Sequence, residues 1–308
     1  MIKHQIVTLT VNPSIDKSTY FTGLEPEQKI RCERPRFDAG GGGINVSKAI
    51  KRLGGDSLCV FTTGGVTGNF LKELVKKEGL DFETIETKSW TRENFIAVDI
   101  ETNDQYRFGF PGNEITAVEN KTIINTIKHL KTDYLVLSGS LNDGLDDDYY
   151  GKLVSVANKS GTKVIVDTSG EPLKHVLESG AYLVKPNSVE LAKLVGVEKL
   201  AINEVAEAAR EIIGKGGAEI LVVSLGPEGA VIVTKNVFEH VKAPKVEKRT
   251  TVGAGDSMVG AMVWALATHK SIPEVIRWGV ACGSAATMNE GTQLFNLKDA
   301  EAIFKNLK

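Results

Sequence analysis

From Thr251 to Met262 the chain reads Thr-Val-Gly-Ala-Gly-Asp-Ser-Met-Val-Gly-Ala-Met, a polar loop that runs into an apolar stretch with no breaker before Thr268. A loop that becomes a helix there puts the backbone N–H groups of Gly253 to Ser257 at a helix N-terminus. Unpaired donors and the helix dipole favour an anion at such a point. Gly253 and Gly255 let the backbone approach a ligand with no Cβ in the way. Asp256 has two readings on loop chemistry alone. It is the helix N-cap, for which Asp is a preferred residue, or it is a base facing the group that attacks the anion.

A second glycine loop, Gly40-Gly41-Gly42-Gly43-Ile44-Asn45, precedes an amphipathic run from Val46 to Leu53. A structural turn needs one or two glycines, whereas a backbone wrapped around a small polar ligand has a use for all four. Neither loop matches Gly-x-x-x-x-Gly-Lys-Ser/Thr, and neither has the acidic residue a dinucleotide fold places about 20 positions later. The chemistry expected is therefore phosphate handling without a Walker loop or a Rossmann fingerprint. Asn187 and Glu190, three apart at the start of a helical pattern, share a face and make a capping box by spacing. Asp16, after Asn12-Pro13-Ser14-Ile15, reads as a turn cap or as a carboxylate able to accept from two hydroxyls at once.

The elements that must position these residues alternate. Ile6–Val11, Leu58–Thr62, Tyr134–Ser138, Val164–Asp167, Tyr182–Val184 and Leu221–Ser224 are short aliphatic runs bounded by turn residues, the pattern of buried strands. Helical spacing lies between them at 44–53, 68–78, 117–129, 148–160, 173–179, 189–195 and 204–214. A hairpin-like stretch at 230–242 follows, then helices at 257–267, 272–289 and 297–307. Strand and helix in turn predict a parallel sheet covered on both faces. Two regions, 16–37 and 95–110, alternate apolar and polar residues with no helix between and read as a small separate sheet. No repeat, low-complexity tract or domain linker interrupts the 308 residues, so a single domain spanning 1–308 is expected.

Bulk properties remove several classes. A net charge of −2 offers no general attraction to nucleic acid or to an anionic membrane. The longest apolar run, Met258 to Ala267, falls well short of the roughly 20 residues of a span, and no targeting segment is evident. Cys32, Cys59 and Cys282 are three widely spaced cysteines without a CxxC, which favours free thiols, with Cys282 in the core. The five histidines (His4, His129, His175, His240 and His269) lack ligand spacing. A small ligand, a cytoplasmic location, and no nucleic-acid or membrane partner are expected.

These loops, with Asn12-Pro13-Ser14-Ile15-Asp16, Lys185-Pro186-Asn187-Ser188-Val189-Glu190 and Val223-Ser224-Leu225-Gly226-Pro227-Glu228-Gly229-Ala230, occur in the order of a known family. From end to end the chain resembles the ribokinase-like (PfkB) carbohydrate kinases, whose Gly-Ala-Gly-Asp motif is highly specific. Within them it is most similar to the bacterial ribokinase-type 6-phosphofructokinase group. The quartet Gly40–Gly43 agrees with that group, where the 1-phosphofructokinase and tagatose-6-phosphate kinase groups usually carry Gly-Lys-Gly, and so do Trp90-Thr91-Arg92, Gln105-Tyr106-Arg107-Phe108 and Thr250 to Met262.

The resemblance implies an α/β, ribokinase-like three-layer αβα sandwich with a small inserted β-sheet lid, about 16–37 and 92–111. It implies a kinase that moves a phosphoryl group from ATP, with Mg2+, to the C1 hydroxyl of fructose 6-phosphate. Tagatose 6-phosphate or fructose 1-phosphate are the alternative acceptors among ketohexose phosphates. Asp256 would be the base, with an anion hole of Gly253, Ala254, Gly255 and the Asp256 N–H. The sugar would meet Asp16, Gly41, Gly42 and Asn45, and its remote phosphate Lys29, Arg92, Ser140 and, more weakly, Arg107. The nucleotide would lie against Lys185, Asn187, Ser224, Gly226, Gly229, Thr251, Gly283, Ser284 and Asn289. Glu190 would act on magnesium through water, a role compatible with capping. Potassium is expected at carbonyls of Thr250, Val252, Ala286 and near Gly291. A homodimer through the lid, and a tetramer with ATP, belong to the same expectation. The chain departs from the pattern at Asn142-Asp143, where a proline-containing pair is usual, and an acid cluster (Asp143, Asp146, Asp147, Asp148) follows. A non-catalytic sensor on this fold would be marked by loss of Asp256 or of the glycine loop, and a nucleoside kinase by loss of the phosphate-binding cations. All are intact.

Overall fold

The computed structural model describes residues 4–289 and 291–307; residues 1–3, 290 and 308 of the expected domain lie outside the described residues. The N-terminal part runs β1 (Ile6–Thr10), β2 (Ser14–Phe21), β3 (Arg36–Gly40), α1 (Gly42–Arg52), β4 (Leu58–Thr63), α2 (Gly65–Lys77) and β5 (Asp81–Glu86). Next come β6 (Arg92–Asp99), β7 (Gln105–Phe108), α3 (Ala117–His129), β8 (Tyr134–Ser138), α4 (Tyr149–Asn158) and β9 (Lys163–Asp167). Then follow α5 (Glu171–Ser179), β10 (Ala181–Val184), α6 (Ser188–Leu194), α7 (Ile202–Gly214) and β11 (Ala218–Ser224). The chain ends with β12 (Ala230–Thr234), β13 (Phe238–Val241), α8 (Ala254–Ala267), α9 (Ile272–Thr287) and α10 (Leu297–Asn306).

Nine strands form one sheet in the order β13-β12-β11-β10-β9-β8-β1-β4-β5. It is parallel from β11 to β5, with β12 and β13 added as an antiparallel edge. Because successive side chains of a strand point to opposite faces, each central strand feeds two cores. On β8, Leu135 and Leu137 pack with Ile123, Leu153, Val176 and Val205 of α3, α4, α5 and α7. Tyr134 and Val136 pack with Val46, Ile50, Val259, Val263 and Ile276 of α1, α8 and α9. That double burial is why these strands read as continuous apolar runs, and it makes the three-layer sandwich expected.

The second sheet has the order β3-β2-β6-β7 and is the lid. Its strands come from both regions flagged by alternation, but residues 22–35 carry no strand. The β3 pairing with β2 instead runs on to Gly40, so the lid grows directly out of the glycine loop. The base of the lid packs Ile15 and Ala39 against Ile44, Phe61 and Leu71, and Phe37 meets Phe70 of α2 edge-on at 5.4 Å. Trp90 lies over Gly65 at the start of α2. β5 was not expected from sequence. It is an edge strand whose Asp81, Glu83 and Glu86 are exposed, so no apolar run marks it.

Helix α8 is buried along almost its whole length, wedged between α1, α9 and the sheet. Gly260 makes the wedge possible: a Cβ there would sit 2.5 Å from the Ala49 Cβ and 2.9 Å from the Val46 carbonyl oxygen. Behind it, Trp264 meets Trp278 edge-on at 5.2 Å, and Trp278 stacks on Phe304 at 4.2 Å. This packing holds the starts of α1 and α8 beside each other, at the carboxyl ends of the strands.

Candidate active site

Gly253 is the N-cap of α8, in the left-handed conformation at φ 73°. Asp256 is therefore not the cap; it occupies the first turn, and its side chain bonds across to another helix. The carboxylate accepts from Asn45 Nδ2 of α1 at 2.9 Å. Among the described residues the N–H groups of Gly255 and Asp256 have no backbone acceptor, as the first turn of a helix dictates. Burial, and secondarily the Asp167 charge, push the Asp256 carboxyl up to about 6, against the pull of Asn45, Lys185 and Lys48. A carboxylate poised there is near the optimum for accepting a proton at neutral pH.

The glycine quartet proves to be shaped by protein neighbours. A Cβ at Gly40 would meet Asp16 and Ser14; at Gly41, which has φ 117°, Thr10 and Pro13; at Gly42, Ser138 and Gly139; at Gly43, Thr10 and the Leu9 carbonyl. The Ile44 N–H, in the first turn of α1, donates to Thr10 Oγ1 at 3.0 Å. The expectation that a ligand alone accounts for all four glycines is thus revised. They let α1 start against β1, β2 and β8, and this is what aims Asn45 at Asp256.

Asp16 sits against Gly40, accepting through Oδ1 from Ser14 Oγ at 2.8 Å and from Asn94 Nδ2 at 2.9 Å. Arg92, on the same strand and face as Asn94, donates to the carbonyls of Asn12 (3.2 Å) and Phe110 (3.0 Å) and to Asn94 Oδ1 (3.4 Å). Its Nε is buried with no partner among the described residues. Burial lowers the Arg92 pKa from its ordinary value while Asp16 opposes the shift, and the guanidinium remains charged. Asn12 Nδ2 donates to Ser140 Oγ at 3.0 Å and to the Leu141 carbonyl at 3.1 Å. Arg92, Asn12 and Ser140 thus form one corner at the lid's edge, with a donor to spare. The departure at Asn142-Asp143 is absorbed there: Asn142 is buried and donates to the Asn113 carbonyl at 3.0 Å, and the Asp143 carbonyl accepts from the Ile115 N–H at 3.0 Å. The Asn142 side chain and the Asp143 backbone thereby fix the 113–115 segment.

Two expected cations are not part of that corner. Lys29 is exposed on the 22–35 loop. Arg107 is exposed opposite Ile96, which puts it on the same lid face as Arg92 but further out along the sheet.

On the other side of Asp256, Lys185 is buried at the end of β10 and pairs with Asp167 at 3.1 Å. Burial alone would lower its pKa, but Asp167, by charge and hydrogen bond, with Glu190 and Asp256, outweighs that and raises it. Asp167 was missed from sequence: it only ends an aliphatic strand, and nothing in its spacing points to Lys185 or Asp256. Asn94 was missed for a similar reason, since its place beside Asp16 comes from the β2–β6 register. Asn187 and Glu190 form the reciprocal capping box, both bonds 2.8 Å, and Asn187 bridges to Ser224. Gly226 and Gly229 take positive φ in the turn after β11, and Gly229 is pressed against Val241 and Ala243. A Cβ at Gly283 would sit 3.3 Å from the Ala254 carbonyl oxygen, so glycine there permits close packing of α8 and α9. The Ser284 carbonyl accepts from Thr287 Oγ1 at 2.7 Å, and Asn289 spends its amide on the Ala285 and Leu294 carbonyls. Thr251 is exposed at the loop entrance. Thr250 and Arg249 donate their N–H groups to the Thr287 carbonyl, bringing the 250–252 segment against the turn that contains Ala286.

A base beside a free helix N-terminus, under a small sheet that carries an arginine, is the geometry of a ribokinase-fold phosphotransferase. The family model for pfkB family carbohydrate kinase matches residues 9–299, and the chain belongs to that family. It is 44% identical over 306 residues to ATP-dependent 6-phosphofructokinase isozyme 2 of Escherichia coli, covering 98% of this chain and 99% of that protein. The crystal structure of E. coli phosphofructokinase-2 in complex with potassium superposes with a TM-score of 0.95 at 43% identity, covering 98% and 99% of the two chains. Its complex with fructose-6-phosphate gives 0.93 at 41% identity over the same shares.

Proposed function

We propose that the chain is an ATP-dependent 6-phosphofructokinase that phosphorylates the C1 hydroxyl of fructose 6-phosphate. The observation that carries this reading is the pairing of two features joined by a chain of contacts through Asn94, Asp16, the glycine loop and Asn45. Asp256, titrating at about 6, lies beside free N–H groups at one end, and the anchored guanidinium of Arg92, with a spare buried donor, lies at the other. Asp256 takes the hydroxyl proton as the bond to phosphorus forms. The N–H groups of Gly255 and Asp256, with Ala254, face the charge that builds on the transferred group. Asn45 keeps the carboxylate oriented. Asp16 retains its Oδ2 for sugar hydroxyls, beside the backbone of Gly41 and Gly42. Arg92 and Ser140 take the remote phosphate; holding it aligns the C1 hydroxyl with Asp256. Lys185, Asn187 and Ser224, at the ends of β10 and β11, with the Gly226–Gly229 turn, bound the nucleotide side.

Magnesium fits the donor set as a nucleotide-borne ion. Among the described residues no group of three His, Cys, Asp or Glu makes a protein-only cage, and Glu190, near the Lys185–Asp167 pair, has one carboxylate oxygen outside its cap bond. Such an ion supplies charge neutralisation on the phosphates and keeps its waters, which suits a single carboxylate. For potassium, the carbonyls of Thr250, Val252, Ala286 and Gly291 are the holders in this reading, supported by the bonds that draw the first segment to the α9 turn. A cytoplasmic location fits the free cysteines, and no described helix is long and apolar enough to cross a membrane. The exposed Ile100, Phe108 and Phe110 of the lid support a homodimer through that sheet, with a tetramer in the presence of ATP; light scattering with and without the nucleotide tests both.

The deciding experiment is coupled ADP release across fructose 6-phosphate, fructose 1-phosphate and tagatose 6-phosphate. Fructose 6-phosphate should have the highest kcat/KM, and a higher value for either other sugar refutes the substrate. Arg92→Ala should lower kcat/KM for the sugar phosphate by about ten- to a hundred-fold, the worth of one charge-assisted phosphate contact, while the KM for ATP holds.

A further inference from the structure

The segment after α9 makes contacts that proton and phosphoryl transfer do not require. Thr292, 6% exposed, donates Oγ1 to Asp38 Oδ2 at 2.8 Å, and Asp38 is equally buried. The other Asp38 oxygen takes Arg36 Nε at 3.0 Å and Nη2 at 2.8 Å. Asp38 lies directly opposite Asp16 in the β2–β3 register, so the two carboxylates share one face of the lid. Two residues past Thr292, Leu294 fills the space over the α8 cap: a Cβ at Gly253 would come 2.7 Å from Leu294 Cδ2. The Leu294 carbonyl accepts from Asn289 at 3.0 Å, and the Phe295 carbonyl from Arg52 Nη1 at 2.7 Å. One short stretch thus touches the lid strand, α1, α9 and the cap of the anion-binding helix.

We propose that Asp38 and Thr292 are positioning residues that couple the lid to the start of α8. The lid strand paired with Asp16 and the segment packed on Gly253 are held by a buried, charge-assisted bond. Breaking it leaves a carboxylate oxygen without a donor in a place water does not easily reach. Occupancy on the phosphoryl-donor side therefore changes the affinity of the sugar side, and by linkage the reverse also holds. The proposal rests on the sugar-phosphate kinase reading, but part of its test does not.

The test uses the full chain, Thr292→Val, which removes only the hydroxyl, and Thr292→Ser, which restores it. Calorimetry measures the Kd of fructose 6-phosphate with and without a non-hydrolysable ATP analogue and magnesium. In the parent the analogue should shift that Kd by roughly five-fold or more, the lower range of allosteric coupling. Thr292→Val should bring the shift to within about two-fold of none, and Thr292→Ser should keep it. An unchanged shift in Thr292→Val, or none in the parent, overturns the proposal. Hydrogen exchange over residues 36–40 with the analogue alone supplies an arm independent of the sugar. Slower exchange in the parent but not in Thr292→Val supports coupling, and equal slowing in both refutes it. If the parent binds the analogue but no sugar phosphate, the substrate reading fails while exchange still judges the coupling. Should the buried valine prevent folding, Thr292→Ala gives the same readouts.

Discussion

The two glycine loops look alike in sequence, and the structure separates them at the glycine inside the first turn of each helix. Both end in a helix whose N-cap is a glycine at positive φ, Gly41 before α1 and Gly253 before α8. At α1 the glycines touch protein: the Cβ position of Gly43 would be 2.6 Å from Thr10 Oγ1 and 2.7 Å from the Leu9 carbonyl oxygen. At α8 the Cβ position of Gly255 has only Lys185 Nζ at 3.7 Å and Asp167 Oδ2 at 3.9 Å near it, ordinary contact distances that leave room for a methyl group. Glycine at 43 is demanded by the fold, whereas glycine at 255 is not. A glycine the protein does not need is left to serve something that approaches from outside.

The largest effect expected is at the open loop. Asp256→Asn should lower kcat by about 10²-fold or more, with nucleotide affinity retained. Because burial raises the Asp256 pKa from 3.8 to about 6, ionisation costs the folded state stability increasingly across that interval and fully above it, so the variant should not lose thermal stability at pH 7. Turnover within a few-fold of the parent would remove Asp256 from the chemistry.

The comparison itself is tested by one methyl group at each loop. Gly43→Ala should cost about 1–3 kcal/mol of stability, as overpacking does. Gly255→Ala should stay within about 0.5 kcal/mol, yet lower kcat about ten-fold or more by intruding on the anion-binding face. Denaturant melts beside kinetics decide, and the contrast collapses if both variants lose stability alike.

A smaller signature is the acid limb of the pH profile. The base must be ionised, so kcat/KM should fall below a midpoint near 6, by about ten-fold per unit. Asp256→Asn should abolish that limb, and a midpoint near 4 would mean the carboxylate is not held as the geometry indicates. The least effect is expected at Glu190→Gln. Its amide oxygen still accepts from the Asn187 N–H, so the cap and the melting temperature should survive. The magnesium needed for half-maximal rate should rise. A lower melting temperature with unchanged magnesium dependence would leave only the capping role.

Most of the fold was legible because β1, β8, β9, β10 and β11 are buried on both faces and therefore written as apolar runs. β5 was hidden because an edge strand need not be apolar, and the 22–35 loop looked like strand because alternation alone does not specify pairing. At the site, residues fixed by local chemistry could be found: Asp256 after its glycines, and Asn187 with Glu190 one turn apart. Residues that matter through pairing across the fold could not. Asp167 acquires its meaning from Lys185 on the neighbouring strand, Asn94 from its register with Asp16, and Thr292 from a lid strand some 250 positions earlier.

The chain has three tryptophans, and they divide between the lid and the helices that carry the catalytic end. Trp90 stands 58% exposed at the root of the lid, while Trp264 of α8 and Trp278 of α9 are packed edge to face where the two helices meet. Indole emission shifts to the red in water, so the protein carries two intrinsic reporters of different colour. A red-edge change on adding a ligand would register movement of the lid, and a change in the blue component would register strain in the helices that hold the catalytic end, with no label attached.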